Sequence, residues 1–352
     1  MPSAATVLAA EHDAAGRHDE AVDALARATQ SGDIDAMTEL GARLVVGDRA
    51  PLLPRDGTRL LVEAMRAGSA EAAMRLAPMV ALGAYMEQSW PGALALLVRA
   101  ADQGAAAARG QLNVLAGRPP GAEAPPEGWR GLAERIDLAA WLVPLPGITL
   151  HEAPTVRCFP DFVPGDVCDW LIARARGRLR RALIYDPVRG GNVPDRMRTN
   201  SATGFDLMDT DVVLIAIQHR MAGVLGVPVH NMEGPSILHY AVGQEITEHY
   251  DWVNPRMPQY EHEIATRGER IVTFLVYLND DYAGGETEFP ELGVRHKGRR
   301  REALYFTNAL PDGRPDQRMV HAGRPPTRGE KWVMTQFVRS RAVLNVRAEH
   351  VG

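Results

Sequence analysis

The sequence predicts an α+β protein in two parts: an N-terminal α-solenoid of short helix pairs, then a sandwich or jelly roll of short strands with flanking helices. Three observations carry this expectation: a repeat in the first third, a Pro/Gly-rich break near residue 120, and β-rich runs beyond residue 150. The chain has 352 residues, 45% of them hydrophobic and 24% charged. That is the composition of an ordinary globular protein with length for two or three cores.

Residues 1–117 are rich in Ala, Leu, Arg and Glu, with apolar residues at three-to-four spacing through 20–29, 35–46, 58–66, 70–82, 92–101 and 105–115. This period belongs to amphipathic helices. Gly32, Gly68 and Gly104 each head a similar short segment, spaced 36 residues apart, and Leu40, Leu76 and Leu112 share an equivalent position. A unit of this length is a helix pair that buries its apolar face only by stacking on its neighbours.

From Gly117 to Gly128, four prolines and three glycines forbid regular helix. We place the boundary here, with 118–149 as a linker and short connecting segment whose apolar stretch 138–145 packs back on one of the domains. The second domain, 150–345, carries the β-rich runs 237–242, 271–278, 303–306 and 332–338, which suit strands. Two helical stretches, about 165–180 and 209–225, are expected on the outside of the sheet.

Net charge −5 offers no electrostatic reason for a nucleic-acid partner. The first twenty residues lack a basic segment followed by an apolar run, and no stretch approaches a membrane span, so the expectation is a cytoplasmic protein with no membrane association. Cys158 and Cys168 are too few for a disulfide framework and read as structural thiols. Of 39 basic residues only Lys297 and Lys331 are lysines, so a lysine here is a marked choice.

His249 and Asp251 are two apart, and on a strand such residues project to one side. His321, beside Gly323 and ahead of the last β-rich run, supplies a third donor. Two imidazoles and one carboxylate with open positions suit non-haem Fe(II) and oxygen chemistry, while zinc remains open on ligand type alone. Lys331 opens the final run, where its ammonium could meet an acidic co-substrate. Lys297, His262 and His296 read as solvated, and His239 as structural.

Together with Gly284-Gly-Glu-Thr-Glu-Phe-Pro290, Arg198-Thr-Asn-Ser201, Tyr240-Ala-Val-Gly243 and Arg270-Ile-Val-Thr273, these residues resemble the prolyl 4-hydroxylase-like branch of the 2-oxoglutarate and Fe(II)-dependent dioxygenases over roughly 156–340. The first third resembles the Sel-like variety of tetratricopeptide-like repeats. The resemblance implies a double-stranded β-helix (jelly-roll) oxygenase domain that couples oxidative decarboxylation of 2-oxoglutarate to hydroxylation of an unactivated carbon. It implies Fe(II), 2-oxoglutarate and O2, with ascorbate as a candidate reductant. His249, Asp251 and His321 become the iron ligands and catalytic centre, and Lys331, Tyr240 and Thr287 the groups on the distal carboxylate of 2-oxoglutarate. Arg270, Phe337 and Trp252 are the substrate-side candidates.

Two positions depart from the family pattern, Ile246 and Phe337, where an aromatic and a Trp are common. Both face substrate. These departures count against prolyl specificity and leave iron and co-substrate binding untouched; the leading expectation is nonetheless hydroxylation of a prolyl residue in a peptide or protein, with the repeats recruiting a protein partner. The alternatives are a free amino acid or small metabolite as substrate, and an inactive interaction scaffold. The segment 252–269 reads as a mobile lid, being too long for a hairpin turn.

Overall fold

The computed structural model describes residues 2–186 and 191–343. Its chain falls into two compact units, Met1–Trp141 with Asp206–Ala216, and Leu142–Phe205 with Ile217–Asn345. No helix among the described residues is long and apolar enough to cross a membrane.

The first unit is built from α1 (Ala4–Ala14), α2 (His18–Gln30), α3 (Ile34–Val46), α4 (Pro54–Arg66), α5 (Ala70–Leu82), α6 (Trp90–Asp102) and α7 (Ala106–Leu115), each packed on its neighbour in sequence. Helices α2 to α7 coincide with the six periodic stretches. Helix α1 is additional: Ala-rich, with Val7 and Leu8 exposed and only Ala9 buried, it has little polar contrast for periodicity to detect. The repeat register is visible in the backbone. Gly32, Gly68 and Gly104 all adopt positive φ (85°, 107° and 95°), a conformation that costs a side chain but not glycine. One residue beyond the first two, Asp33 and Ser69 cap α3 and α5 by accepting from Ala36 N and Ala72 N. Leu40, Leu76 and Leu112 are buried, each contributing roughly 1.5–3 kcal/mol.

The predicted linker contains two short helices, α8 (Gly128–Glu134) and α9 (Leu138–Leu142). The apolar stretch divides: Trp141 is buried in the helical unit, its Nε1 donating to Leu115 O at 3.0 Å, whereas Leu142 and Pro144 lie beside Gly223 in the second unit.

The second unit holds β1 (Ile148–His151), β2 (Val156–Phe159), α10 (Gly165–Arg176), β3 (Arg180–Arg181), β4 (Ile184–Asp186), β5 (Gly191–Val193), β6 (Ser201–Gly204) and β7 (Ser236–Tyr240), and, ahead of β7, the part of α11 (Val212–Leu225) from Ile217 onward. It continues with β8 (Ile246–His249), α12 (Glu261–Arg267), β9 (Arg270–Tyr277), β10 (Ala283–Gly284), β11 (Thr287–Phe289) and β12 (Val294–His296). Last come β13 (Ala303–Thr307), β14 (His321–Gly323), β15 (Pro326–Arg328) and β16 (Lys331–Arg339). An eight-stranded sheet runs β1-β2-β13-β9-β16-β7-β6-β3, and a four-stranded sheet runs β12-β11-β14-β8. The strand pairs in both are antiparallel, and the fold class is α+β as expected.

Both sheets feed one core: Leu238, Tyr277, Leu304, Phe306 and Val333 from the large sheet, Phe289 from the small one. Strand β16 is buried along nearly all its length because both its faces are covered. On its outer face Gln336 accepts from Gln218 Nε2 of α11 at 2.8 Å. Its inner face, every second residue from Lys331, looks toward the small sheet.

Candidate active site

Three adjacent strands of the large sheet and three of the small one line a cavity of about 660 Å3. Alternation does the sorting. From β7 come Ser236, Leu238 and Tyr240, and from β16 Lys331, Val333, Thr335 and Phe337, each set two residues apart. The small sheet supplies Ile246 and His249, Thr287, and His321 with Gly323.

Strand β8 pairs with β14 so that His249 lies directly opposite His321, their ring centroids 4.3 Å apart. Asp251 follows just beyond the end of β8. Its Oδ1 lies 3.6 Å from His249 Nε2 and its Oδ2 3.4 Å from His321 Nε2. The ligating atoms of all three residues fall within 4.8 Å of one another. Each imidazole is oriented in the same way, its Nδ1 donating to the carbonyl two residues back: Thr247 O at 2.8 Å and Met319 O at 3.0 Å. Those bonds fix both rings and turn each Nε2 toward the carboxylate. Burial pushes the Asp251 carboxyl up, but His321 and His249 outweigh it and hold it well below the usual carboxylate range. Two imidazoles and one carboxylate, sheltered and converging, fit a divalent iron and leave positions for exogenous ligands.

Lys331 is opposite Tyr240 in the β16–β7 register, and both are buried. Its Nζ donates to Gly285 O at 2.8 Å. Gly285 has φ 72°, and a side chain there would run into the Tyr282 ring, so glycine is what brings that carbonyl to the lysine. Burial pushes the Lys331 ammonium down to about 8, partly offset by Glu286. From its ordinary value of 10.5 this is roughly 3 kcal/mol less preference for the charged form. An incoming carboxylate relieves that penalty, which is why a buried lysine suits a dianion. Burial also pushes the Tyr240 phenol up, keeping it protonated as a donor. Thr287 is buried, and its Oγ1 lies 2.9 Å from Tyr277 OH.

Elsewhere in the cavity lie Arg270, Phe337 and Trp252. The Arg270 guanidinium sits 3.8 Å above the Phe337 ring and makes a two-pronged pair with Glu233, at 2.7 and 2.9 Å. The segment 252–269 contributes Trp252, Val253, Asn254, Met257, Tyr260 and Glu263. Where a loop was expected it contains α12, whose Glu263 pairs with the fully buried Arg339.

All nine candidate residues thus line one cavity. The sequence reading missed Glu233, whose partners Arg270 and Arg339 lie on strands distant in sequence, and Tyr277, which meets Thr287 of the facing sheet; only the alternation of β9 toward the cavity hints at Tyr277. Two bystander readings are also settled. His239 is structural, packed on Trp332 and bonded to Glu330 Oε2 at 2.8 Å. His296 is not solvated: pairing of β12 with β11 half-buries its ring, and Nε2 bonds Glu302.

Residues 235–339 match the family model described as the 2OG-Fe(II) oxygenase superfamily. Prolyl 4-hydroxylase 5 of Arabidopsis thaliana is 32% identical over 203 residues, covering 52% of this chain and 68% of that protein. The chain belongs to the 2OG-Fe(II) oxygenases, in their prolyl 4-hydroxylase-like branch. Among solved structures, a viral collagen prolyl hydroxylase from Paramecium Bursaria Chlorella virus-1, in its 2-oxoglutarate complex, is 25% identical with a TM-score of 0.41, covering 52% of this chain and 94% of its own. A Sel1 repeat protein from Oxalobacter formigenes is 28% identical with a TM-score of 0.24, covering 25% of this chain and 67% of its own. As a 2OG-Fe(II) oxygenase the protein is a 2-oxoglutarate-dependent dioxygenase, with Fe(II), 2-oxoglutarate and O2 as its cofactor and co-substrates.

Proposed function

We propose that the protein hydroxylates a prolyl residue in a peptide or protein, using His249, Asp251 and His321 to hold Fe(II) and Lys331, Tyr240 and Thr287 to hold the distal carboxylate of 2-oxoglutarate. The observation that carries this reading is the cavity: it joins the His-Asp-His cluster, a buried lysine and a substrate-sized space in one volume. Fe(II) with 2-oxoglutarate supplies the oxidising power that places one oxygen atom of O2 on a C–H bond and the other in succinate.

The chain's own contribution is binding, orientation and shelter. His249 and His321 present Nε2 because their Nδ1 protons are already committed to carbonyls. Lys331 neutralises an anion where water is scarce, so its charge-assisted bond is worth more than it would be in water. The Tyr240 and Thr287 hydroxyls add donors to the same carboxylate. Arg270, fixed by Glu233 and stacked on Phe337, offers an edge to a substrate backbone, and Trp252 offers a hydrophobic wall.

A division of labour accompanies this reading, with catalysis in 150–345 and partner binding in the repeats of 1–117, joined through 118–149. A cytoplasmic setting suits Cys158 and Cys168, which are buried and unbridged. One observation favours a second reading, a free amino acid or small metabolite as substrate. Most of the Arg270 guanidinium is occupied by Glu233, and Ile246 with Phe337 gives the substrate side a changed shape.

Succinate release from 2-oxoglutarate by the iron-loaded protein separates the two. It is measured with the macromolecular and small-molecule fractions of a bacterial extract added separately and with His321→Ala as the blank. Stimulation by the macromolecular fraction, with a mass gain of one oxygen on a proline-containing peptide, supports the prolyl reading. Stimulation by the small-molecule fraction alone overturns it in favour of the second.

A further inference from the structure

Beneath the cluster, Asp251 is held by a chain of two polar side chains that reach it from other strands. Thr273 of β9 and Asn308, just after β13, are 1% and 0% exposed. Thr273 Oγ1 lies 2.8 Å from Asp251 Oδ2, and Asn308 Nδ2 lies 2.8 Å from Thr273 Oγ1. A threonine hydroxyl has one proton to give. If Asn308 presented its oxygen to Thr273, that proton could not serve both Asn308 and Asp251, and an acceptor would face an acceptor. Only the arrangement with Nδ2 toward Thr273 supplies each contact with a donor, and it sends the Thr273 proton to Asp251.

This arrangement has a cost. Asn308 Oδ1 is buried without a partner, a loss of roughly 1–3 kcal/mol that an apolar residue at this place would avoid. The amide is therefore better explained by what its NH2 group does than by packing. Its backbone is fixed as well, with Asn308 N donating to Ile271 O at 2.8 Å and Asn308 O accepting from Asp316 N at 3.0 Å. Because β13 pairs with β9 through Thr307 and Val272, the amide is delivered beside Thr273 by sheet register.

We propose that Thr273 and Asn308 are positioning residues for the metal centre: the Asn308 amide orients the Thr273 hydroxyl, which clamps Asp251 Oδ2 and leaves Oδ1 as the ligating oxygen. This rests on the ligand assignment proposed above and adds to it the residues that decide how Asp251 binds. Outer partners of this kind typically account for about 10- to 100-fold in metal affinity.

The test is Co(II) titration of the full-length apoprotein, followed by visible absorption, with the melting temperature recorded for each variant. Thr273→Val, which keeps shape and loses the hydroxyl, should weaken Co(II) binding about 10- to 100-fold and change the absorption band. Thr273→Ser should restore both. Asn308→Ala should weaken binding in the wild-type background but add nothing to Thr273→Val, because its effect passes through that hydroxyl. Should Asn308→Ala fail to fold, Asn308→Leu, which keeps the volume and loses the amide, replaces it and should weaken binding in the same way; wild-type binding in the variant that folds would overturn the role of Asn308.

His321→Ala, titrated alongside, separates two failures. If it loses Co(II) while Thr273→Val binds as wild type, the relay is overturned and the ligand assignment stands. If both bind as wild type, the ligand assignment falls and the relay with it. Additive losses from Thr273→Val and Asn308→Ala would overturn the role of Asn308.

Discussion

The helical array and the β domain solve the folding problem at different ranges. In the array each decision is local: a glycine at positive φ, a capping Asp or Ser one residue later, a leucine at the equivalent place in the next turn of the repeat. In the β domain the decisive contacts are remote. His249 meets His321, Lys331 meets Tyr240, and Thr273 meets Asn308, each across strands that are neighbours only after the sheets assemble. Damage to the first should therefore be graded and structural, whereas damage to the second should be selective and chemical.

The sharpest break in that comparison comes from the cluster. His321→Ala should lower 2-oxoglutarate turnover by about a thousandfold or more, roughly 4 kcal/mol of transition-state stabilisation, without lowering the melting temperature of the array. Half the wild-type rate of succinate release in this variant would remove His321 from the centre. Next, Lys331→Ala should weaken 2-oxoglutarate binding about a hundredfold, roughly 3 kcal/mol, and leave metal affinity unchanged. Calorimetric titration of the metal-loaded protein with 2-oxoglutarate reads this directly, and unchanged affinity would argue against the assignment.

The same lysine gives a pH dependence with a definite sign. Its ammonium is charged below about 8 and loses its proton above, and a bound carboxylate favours the charged form. Affinity for 2-oxoglutarate should be full below about pH 8 and fall as pH rises past it, by up to about tenfold per unit. A flat profile from pH 7 to 9.5 would mean the lysine does not meet the ligand's charge.

Within the array, Leu76→Ala should cost about 2–5 kcal/mol of stability, read as a lowered melting temperature, with succinate release at 25 °C unchanged. The smallest effect, roughly 1–3 kcal/mol, is expected for Gly68→Ala. Nothing lies within 4 Å of the added methyl, so φ 107° alone is responsible. A proportional loss of activity in either variant would join the two regions that the comparison separates.

Legibility in the sequence follows the same division. Helices α2 to α7 could be read because a 3.6-residue period and a repeated glycine are written into contiguous residues, while α1 lacked the contrast. The His249-Asp251 pair, His321 and Lys331 were legible because residue type and spacing carry chemistry, helped by the scarcity of lysine. Their partners were not. Glu233 beneath Arg270, Tyr277 beside Thr287 and Asn308 behind Thr273 belong to no local pattern: a segment outside the strands, the facing of the two sheets and the register of β13 on β9 bring them in, one each. His296 was misjudged for the same reason: a histidine in a polar stretch looks solvated until β11 lies against it.

Strand β16 carries a further consequence. Lys331 and Phe337 stand on its one inward face, with Val333 and Thr335 between them. At about 3.3 Å per residue the strand acts as a ruler of about 20 Å between the two. The pleat admits only whole steps of two. Loss of one residue between them would turn one end of the ruler to the outer face while the other stayed inward. Evolution of the pocket along this strand is therefore confined to exchanging the marks, since the spacing itself cannot be adjusted by small amounts.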